Sequence, residues 1–180
     1  LVGSEMCIRD SNVDYPFNLK GILYFPRLSG RMDNMQGEIK LYNNQVYVAD
    51  NIKEVIPEFL MLLKGVIDCP DMPLNVSRSF LQNDGTLKKI RDHITKKVSD
   101  RLCGMFDSSR EEYEKCWQDI GVFIKYGCMR EEKFCERIYG DIVFNDINGD
   151  YYTLSEYIEK FAPEKKIYYV TNAVQQAGYI

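Results

Sequence analysis

The chain has a single histidine, no two cysteines in C-x-x-C spacing, no apolar run of membrane length and no surplus of basic residues. Each shortage removes a class of function. His93 has no metal-ligand or nucleophile pattern beside it, and a site needs partners, so it reads as a surface or boundary residue of a helix. The cysteines, Cys7, Cys69, Cys103, Cys116, Cys128 and Cys135, lack the spacing of zinc or redox motifs and read as reduced thiols. Of these, Cys116, Cys128 and Cys135 fall in helical patterns as small core hydrophobes. The longest apolar stretch, Phe59 to Val66, is interrupted by Lys64 and falls well short of the roughly 20 residues that span a bilayer. A net charge of −4 means that a phosphate-backbone binder would need a basic patch overriding the global balance. What remains is a chain of 180 residues, 45% hydrophobic and 28% charged, a composition suited to one or two globular units with real cores.

Residues 1–11, LVGSEMCIRDS, show no capping, turn or amphipathic logic and lack the basic start and apolar core of a signal peptide. The string resembles the conceptual translation of a transposase-type sequencing adapter and is expected to lie outside the fold. On that reading the natural chain begins at about Asn12, already inside a domain, and the Ile180 end is expected to be a truncation too.

The remainder alternates strand and helix signals. FNLKGILYFP (17–26) is rich in β-formers, and the alternation in 37–42 and 45–48 predicts a hairpin across Asn43-Asn44, with Ile39, Leu41, Val46 and Val48 on one buried face. The intervening Arg27 to Gln36, with Met32 and Met35, reads as a surface contact loop. Pro57 is expected to open a helix burying Phe59, Leu60, Leu62 and Leu63 and stopped by Gly65. Residues 74–82 read as a strand or loop entering a short helix. Leu87, Ile90, Ile94, Val98 and Leu102 then mark the apolar stripe of a long helix, with Lys88, Lys89, Arg91, Lys96, Lys97 and Arg101 on its other faces. A further helix with Tyr113, Trp117, Ile120 and Ile124 inward starts near Ser108 or Ser109, the latter in capping-box spacing with Glu112, and Gly127 is its natural stop. Residues 131–139 form a short helix using Phe134 and Ile138. Two strands flank Asn148-Gly149, and a Thr153–Glu156 box opens a helix with Leu154, Tyr157, Ile158 and Phe161 inward. KIYYVT (166–171) reads as a strand, with Asn172 as a helix cap after it.

Two clusters invite chemistry. Asp146, Asn148 and Asp150 match the first ligand positions of a calcium loop, but Tyr151 stands where its sharp turn needs Gly and Tyr157 where a bidentate Glu belongs, so a hairpin turn is the better reading. In DMPLNVSRSFLQ (71–82), Asn75 and Ser77 are good helix caps, which puts Arg78 where the macrodipole disfavours a cation. Unpaired helix N–H groups beside a guanidinium make an anion receptor; an ordinary salt bridge is the alternative.

GILYFP, IKLYNNQVYVAD, VIPEFLMLLKGVIDCPDMPLNVSRSFLQ and HITKKVSDRL resemble, in order and spacing, the middle domain of the heat-shock protein 90 chaperones of the bacterial HtpG type. PLNVSR-x-x-LQ is the most specific part, and IKYG (124–127) and KKIYYVT extend the likeness. The resemblance implies an ATP-dependent chaperone of the stress response, cytoplasmic and homodimeric through a C-terminal domain absent from this chain, acting on unfolded or partly folded client proteins. ATP with Mg would be held by the parent's own N-terminal domain, and Arg78 would reach its γ-phosphate, with Asn75 and Gln82 as accompanying catalytic-loop residues. Ser79 stands where relatives often carry an acid. Met32 and Met35 would contact clients, flexible thioethers suiting varied apolar surfaces. The parent would hydrolyse ATP; the isolated chain would not, and no metal ligand is expected in it.

The expected fold class is α/β, a ribosomal-protein-S5-domain-2-like sheet-and-helix unit over 12–105, a helical connector over 106–140 and the truncated start of a second α/β unit over 141–180. The rival readings are a nucleic-acid-binding α/β domain using the basic faces of the long helix and a stand-alone protein-interaction module. Acidic net charge and the lack of stacking motifs speak against the first.

Overall fold

The computed structural model describes residues 8–9, 18–25, 38–51, 55–60, 63–72, 84–162, 164, 166–172 and 174–178. The chain forms two compact units, Leu1–Asp141 and Ile142–Ile180. Both mix strands and helices, the α/β class expected.

The first unit is built on a five-stranded sheet in the order β1-β2-β5-β3-β4, from β1 (Ile8–Arg9), β2 (Lys20–Tyr24), β3 (Ile39–Asn43), β4 (Val46–Asp50) and β5 (Lys64–Asp68). β3 and β5 run parallel and the other neighbours antiparallel. Ile8 and Arg9, in the segment that the sequence sets outside the fold, pair with Leu23 and Ile22 at one edge. Strand alternation places Leu23, Ile39, Leu41 and Ile67 in the core.

Two expectations for this sheet change. The hairpin turn is Asn44-Gln45, with φ of 50° and 67°, one residue later than the sequence suggests. Asn43 thereby becomes the last residue of β3 and shares the buried phase of Ile39 and Leu41. Val46 is exposed and Val48 only half-buried, because β4 is the outer strand and a bulge shifts its register opposite Leu41 and Tyr42. The expected helix after Pro57 is a single 3-10 turn, Glu58–Leu60, although Phe59, Leu60 and Leu63 are buried as foreseen. Gly65 does not stop a helix but lies inside β5 at φ +146°, opposite Leu23. A Cβ there would stand 2.0 Å from the Ile22 carbonyl oxygen, so the two strands approach only because the side chain is a hydrogen.

Among the described residues the unit carries three α-helices: α1 (Asp84–Ser108), α2 (Arg110–Arg130) and α3 (Glu132–Ile138). The whole predicted stripe of α1, Leu87, Ile90, Ile94, Val98 and Leu102, is buried. So are Tyr113, Trp117, Ile120 and Ile124 of α2, and Phe134 and Ile138 of α3. Phe25 meets Phe123 at 5.8 Å between ring centroids, and Phe59 meets Phe134 at 4.5 Å, locking helices to the sheet unit. The Ser109 capping box is absent: its hydroxyl makes no cap bond, and ψ is 62°. One residue joins α1 to α2, so its N–H closes α1 on Met105 while its carbonyl opens α2 by accepting from Tyr113. Gly127 is no stop either. α2 runs through it to Arg130, and the glycine makes room for Phe59 and Phe134, whose ring atoms would lie 2.7 and 2.8 Å from a Cβ.

The second unit carries β6 (Val143–Asn145) paired antiparallel to β7 (Tyr151–Thr153), then α4 (Leu154–Phe161). Here the capping box forms as predicted: at ψ 164° the Thr153 hydroxyl accepts from the Glu156 N–H, and the Glu156 carboxylate accepts from the Thr153 N–H at 2.7 Å. Thr153→Ala should therefore lower the stability of this unit by about 1 kcal/mol, read as a fall in its denaturation midpoint. Leu154, Tyr157 and Ile158 are half-buried and Phe161 is exposed, short of the inward face expected, since this unit's hairpin offers little surface to cover them. Residues 166–170 form no strand among the described residues. Asn172 does act as a cap, its carboxamide oxygen accepting from Val174 and Gln175, but the chain continues in turns rather than a helix. With Tyr168 and Tyr169 each 81% exposed, the amides of 167–170 should exchange with solvent far faster than those of Ile90 to Val98, a difference that hydrogen-exchange mass spectrometry reads directly.

Candidate functional site

The polar end of the sheet, where β3 and β5 finish side by side, carries the densest set of side-chain-to-backbone bonds in the first unit's described residues. Asn43, 6% exposed, directs its carboxamide nitrogen at three carbonyls of the segment leaving β5: Cys69 at 3.1 Å, Pro70 at 3.2 Å and Met72 at 3.0 Å. Its two protons are shared among the three acceptors, which fixes the amide's orientation, and its oxygen accepts from the Asn44 side chain at 2.9 Å. The same segment is tied down by its own backbone: the Cys69 N–H donates to the Tyr42 carbonyl and the Met72 N–H to the Cys69 carbonyl. On its flanks, Asp68 accepts from the Gln45 N–H and Asp71 from the Asn18 N–H. Buried carbonyls left without donors cost about 1–3 kcal/mol each, so this amide stabilises one shape of the 69–72 turn.

That turn is the root of the stretch that the sequence singles out. Met72 is followed by residues 73–83, and the next described residue, Asp84, begins α1. Asn75, Arg78 and Gln82 lie outside the described residues, as do Met32 and Met35, whose loop is bracketed by buried Phe25 and by Glu38.

The other candidates resolve into structure. Asp146 accepts from the N–H groups of Asn148 at 2.8 Å and Asp150 at 2.9 Å within its own turn. Desolvation works against its ionisation, but those hydrogen bonds outweigh it and hold the carboxyl below the usual carboxylate range. Gly149, at φ +93°, closes the hairpin. No three His, Cys, Asp or Glu side chains converge among the described residues. Burial pushes the Cys69 thiol up to about 11, and Cys116 and Cys128 are raised by burial as well. Such thiols stay protonated at neutral pH and make poor nucleophiles. Cys116, Cys128 and Cys135 are half-buried, a step outside the core role expected, because each is the immediate neighbour of a buried helical residue (Trp117, Gly127 or Phe134), about 100° away around the helix. On α1, Lys88, Lys89, Lys96 and Arg101 are exposed, while Arg91 pairs with Glu131, the residue between α2 and α3. Asp92 and Asp100 interrupt that basic surface and meet Lys133 and Arg137 at 3.7 and 3.6 Å. The helix presents mixed charge rather than a phosphate-binding stripe.

The sheet and its helices form an α/β unit, and comparison with known proteins gives its family. The family model described as Hsp90 protein matches residues 4–178, and the chain belongs to that family. It is 52% identical over 146 residues to the chaperone protein HtpG of Porphyromonas gingivalis, covering 81% of this chain and 21% of that protein. It is 50% identical over the same length to its counterpart in Bacteroides fragilis, with the same coverage. Heat shock protein 90-6, mitochondrial, of Arabidopsis thaliana is 33% identical over 163 residues, 85% of this chain and 20% of that protein. The chain thus spans about a fifth of the length of these relatives. No helix among the described residues is long and apolar enough to cross a membrane.

Proposed function

We propose that this chain is the middle segment of a cytoplasmic, homodimeric, ATP-dependent chaperone, and that Arg78 completes the ATPase site of a separate nucleotide-binding domain. The observation that carries the reading is PLNVSR-x-x-LQ at 73–82 in a chain of the heat-shock protein 90 family. Arg78 is a permanent cation with a planar fork of donors, suited to the oxygens of a γ-phosphoryl group as charge shifts during transfer. Asn75 and Gln82, neutral amides flanking it, accompany it in the loop and help to seat it. Mg bound with ATP would offset the charge of the phosphates. Its ligands belong to the nucleotide-binding domain in this reading. Met32 and Met35 give a contact loop able to adapt to exposed apolar surface on partly folded clients.

Grafting residues 12–180 in place of the corresponding segment of the Porphyromonas gingivalis chaperone tests this reading. The graft should hydrolyse ATP within about tenfold of its host, one decade being about 1.4 kcal/mol of barrier. A graft that folds, dimerises and binds ATP but does not turn it over would overturn it.

A further inference from the structure

We propose that Cys128 and Cys135 form a paired-thiol site that a small-molecule disulfide converts to an intramolecular disulfide, stapling the end of α2 to α3. The ground is how the two helices meet. Glu131 alone joins them: its N–H closes α2 on the Gly127 carbonyl at 2.9 Å, and its own carbonyl accepts from Phe134 and Cys135 at 3.1 and 3.0 Å. With no longer loop to hold them apart, α3 folds back on the last turn of α2. The Phe134 ring lies against Gly127, 2.8 Å from where a Cβ would stand. Cys128 and Cys135 each follow one member of that contact in the chain, and their thiols are themselves in hydrogen-bonding contact. Seven residues apart in sequence, they match no C-x-x-C motif; the packing pairs them. Both are half-buried, so a small reagent has access while buried Gly127 and Phe134 keep the two backbones in place.

The pair divides the chemistry between its members. Burial, and then the hydrogen bond to Cys135, push the Cys128 thiol up to about 12, so Cys128 keeps its proton and Cys135 attacks first. The Cys135 thiolate attacks one sulfur of the small disulfide, forming a mixed disulfide and releasing the other half as a thiolate. Cys128 then gives its proton to solvent and attacks the Cys135 sulfur, expelling the second half. The protein loses two electrons and two protons, the small disulfide is reduced to two thiols, and nothing else is consumed. The high pKa slows the second step, and the enforced proximity of the two sulfurs offsets that. The new bond would lock the Gly127–Phe134 contact and, with it, Phe59, whose ring meets that of Phe134 at 4.5 Å.

The test equilibrates the 180-residue chain with oxidised and reduced glutathione, blocks the remaining thiols and reads tryptic peptides by mass spectrometry. Arg130 and Lys133 lie between the two cysteines, so trypsin separates them and the bond appears as residues 126–130 joined to 134–137. The effective concentration of one thiol at the other, taken from the glutathione ratio at half-oxidation, should be at least about tenfold higher in the folded chain than in the same chain in urea. Excess reduced glutathione should reverse the link, and Cys135→Ser should abolish the joined peptide while Cys116 stays blocked as a free thiol. An effective concentration no higher when folded would overturn the proposal, because nearness in sequence rather than helix packing would then pair the thiols. Glutathione adducts on Cys128 and Cys135 with no bond between them would also overturn it. So would a preferred bond from Cys103, whose thiol donates to the Arg137 carbonyl at 3.5 Å, to either cysteine.

Discussion

Replacing Arg78 with Ala in the grafted chaperone is expected to lower ATP turnover by about 10²-fold or more while the nucleotide dissociation constant moves by less than about twofold. On the proposed reading the two quantities separate because the pocket that binds ATP lies in another domain, whereas the arginine matters when charge develops on the transferring phosphoryl group. An interaction made mainly in the transition state appears in kcat and hardly in binding. Arg78→Lys should recover only part of the loss, since an ammonium is a point charge and cannot engage two phosphate oxygens in one plane. The melting midpoint should shift little, a substitution outside a core ion pair being worth about 0.5 kcal/mol or less. A structural salt bridge at Arg78 predicts the reverse: normal turnover with a clearly lowered melting temperature.

Gly65→Ala is expected to destabilise the first unit by more than about 3 kcal/mol, enough to unfold a chain of ordinary marginal stability. Two costs combine. The backbone at φ +146° is one that L side chains rarely adopt, and the new Cβ would meet the Ile22 carbonyl oxygen at 2.0 Å, a backbone atom that cannot rotate away. Relief would require β2 and β5 to part, and those two strands lie inside the sheet that carries Asn43. Gly85→Ala is the matched control. It lies in α1, where a Cβ would have no neighbour within 4 Å, so stability should hold or rise by up to about 1 kcal/mol. Urea midpoints of the two variants against the parent decide between a positional effect and a general intolerance of glycine replacement.

Periodicity made the helices legible. The stripe from Leu87 to Leu102 and the set from Tyr113 to Ile124 are buried in full because a long repeat overrides any single local signal. Local stop signals misled where packing decides: Gly65 and Gly127 both look like helix ends, yet one admits a neighbouring strand and the other two aromatic rings. Ser109 has the spacing of a capping box but not the backbone, since a one-residue connection leaves it no extended conformation, whereas Thr153 follows a strand and caps its helix. The Asn43 hub was within reach of the sequence. Placing the turn at Asn44-Gln45 puts Asn43 on the buried side of β3, and a buried amide demands partners. An Asn-Asn pair between two strands instead drew the turn one residue early, because both asparagines tolerate positive φ. That Cys69, Pro70 and Met72 would be those partners depends on the parallel pairing of β3 with β5, a contact across some 26 residues that no local pattern encodes.

Single-turnover hydrolysis of prebound ATP isolates the chemical step from nucleotide binding and release. With saturating protein and the grafted segment in place, Arg78→Ala should slow the single-turnover rate by about 10²-fold or more, with Arg78→Lys between it and the parent. An Arg78→Ala protein that is folded, loaded with ATP and hydrolyses it at the parent's rate would rule out a role for Arg78 in the chemical step.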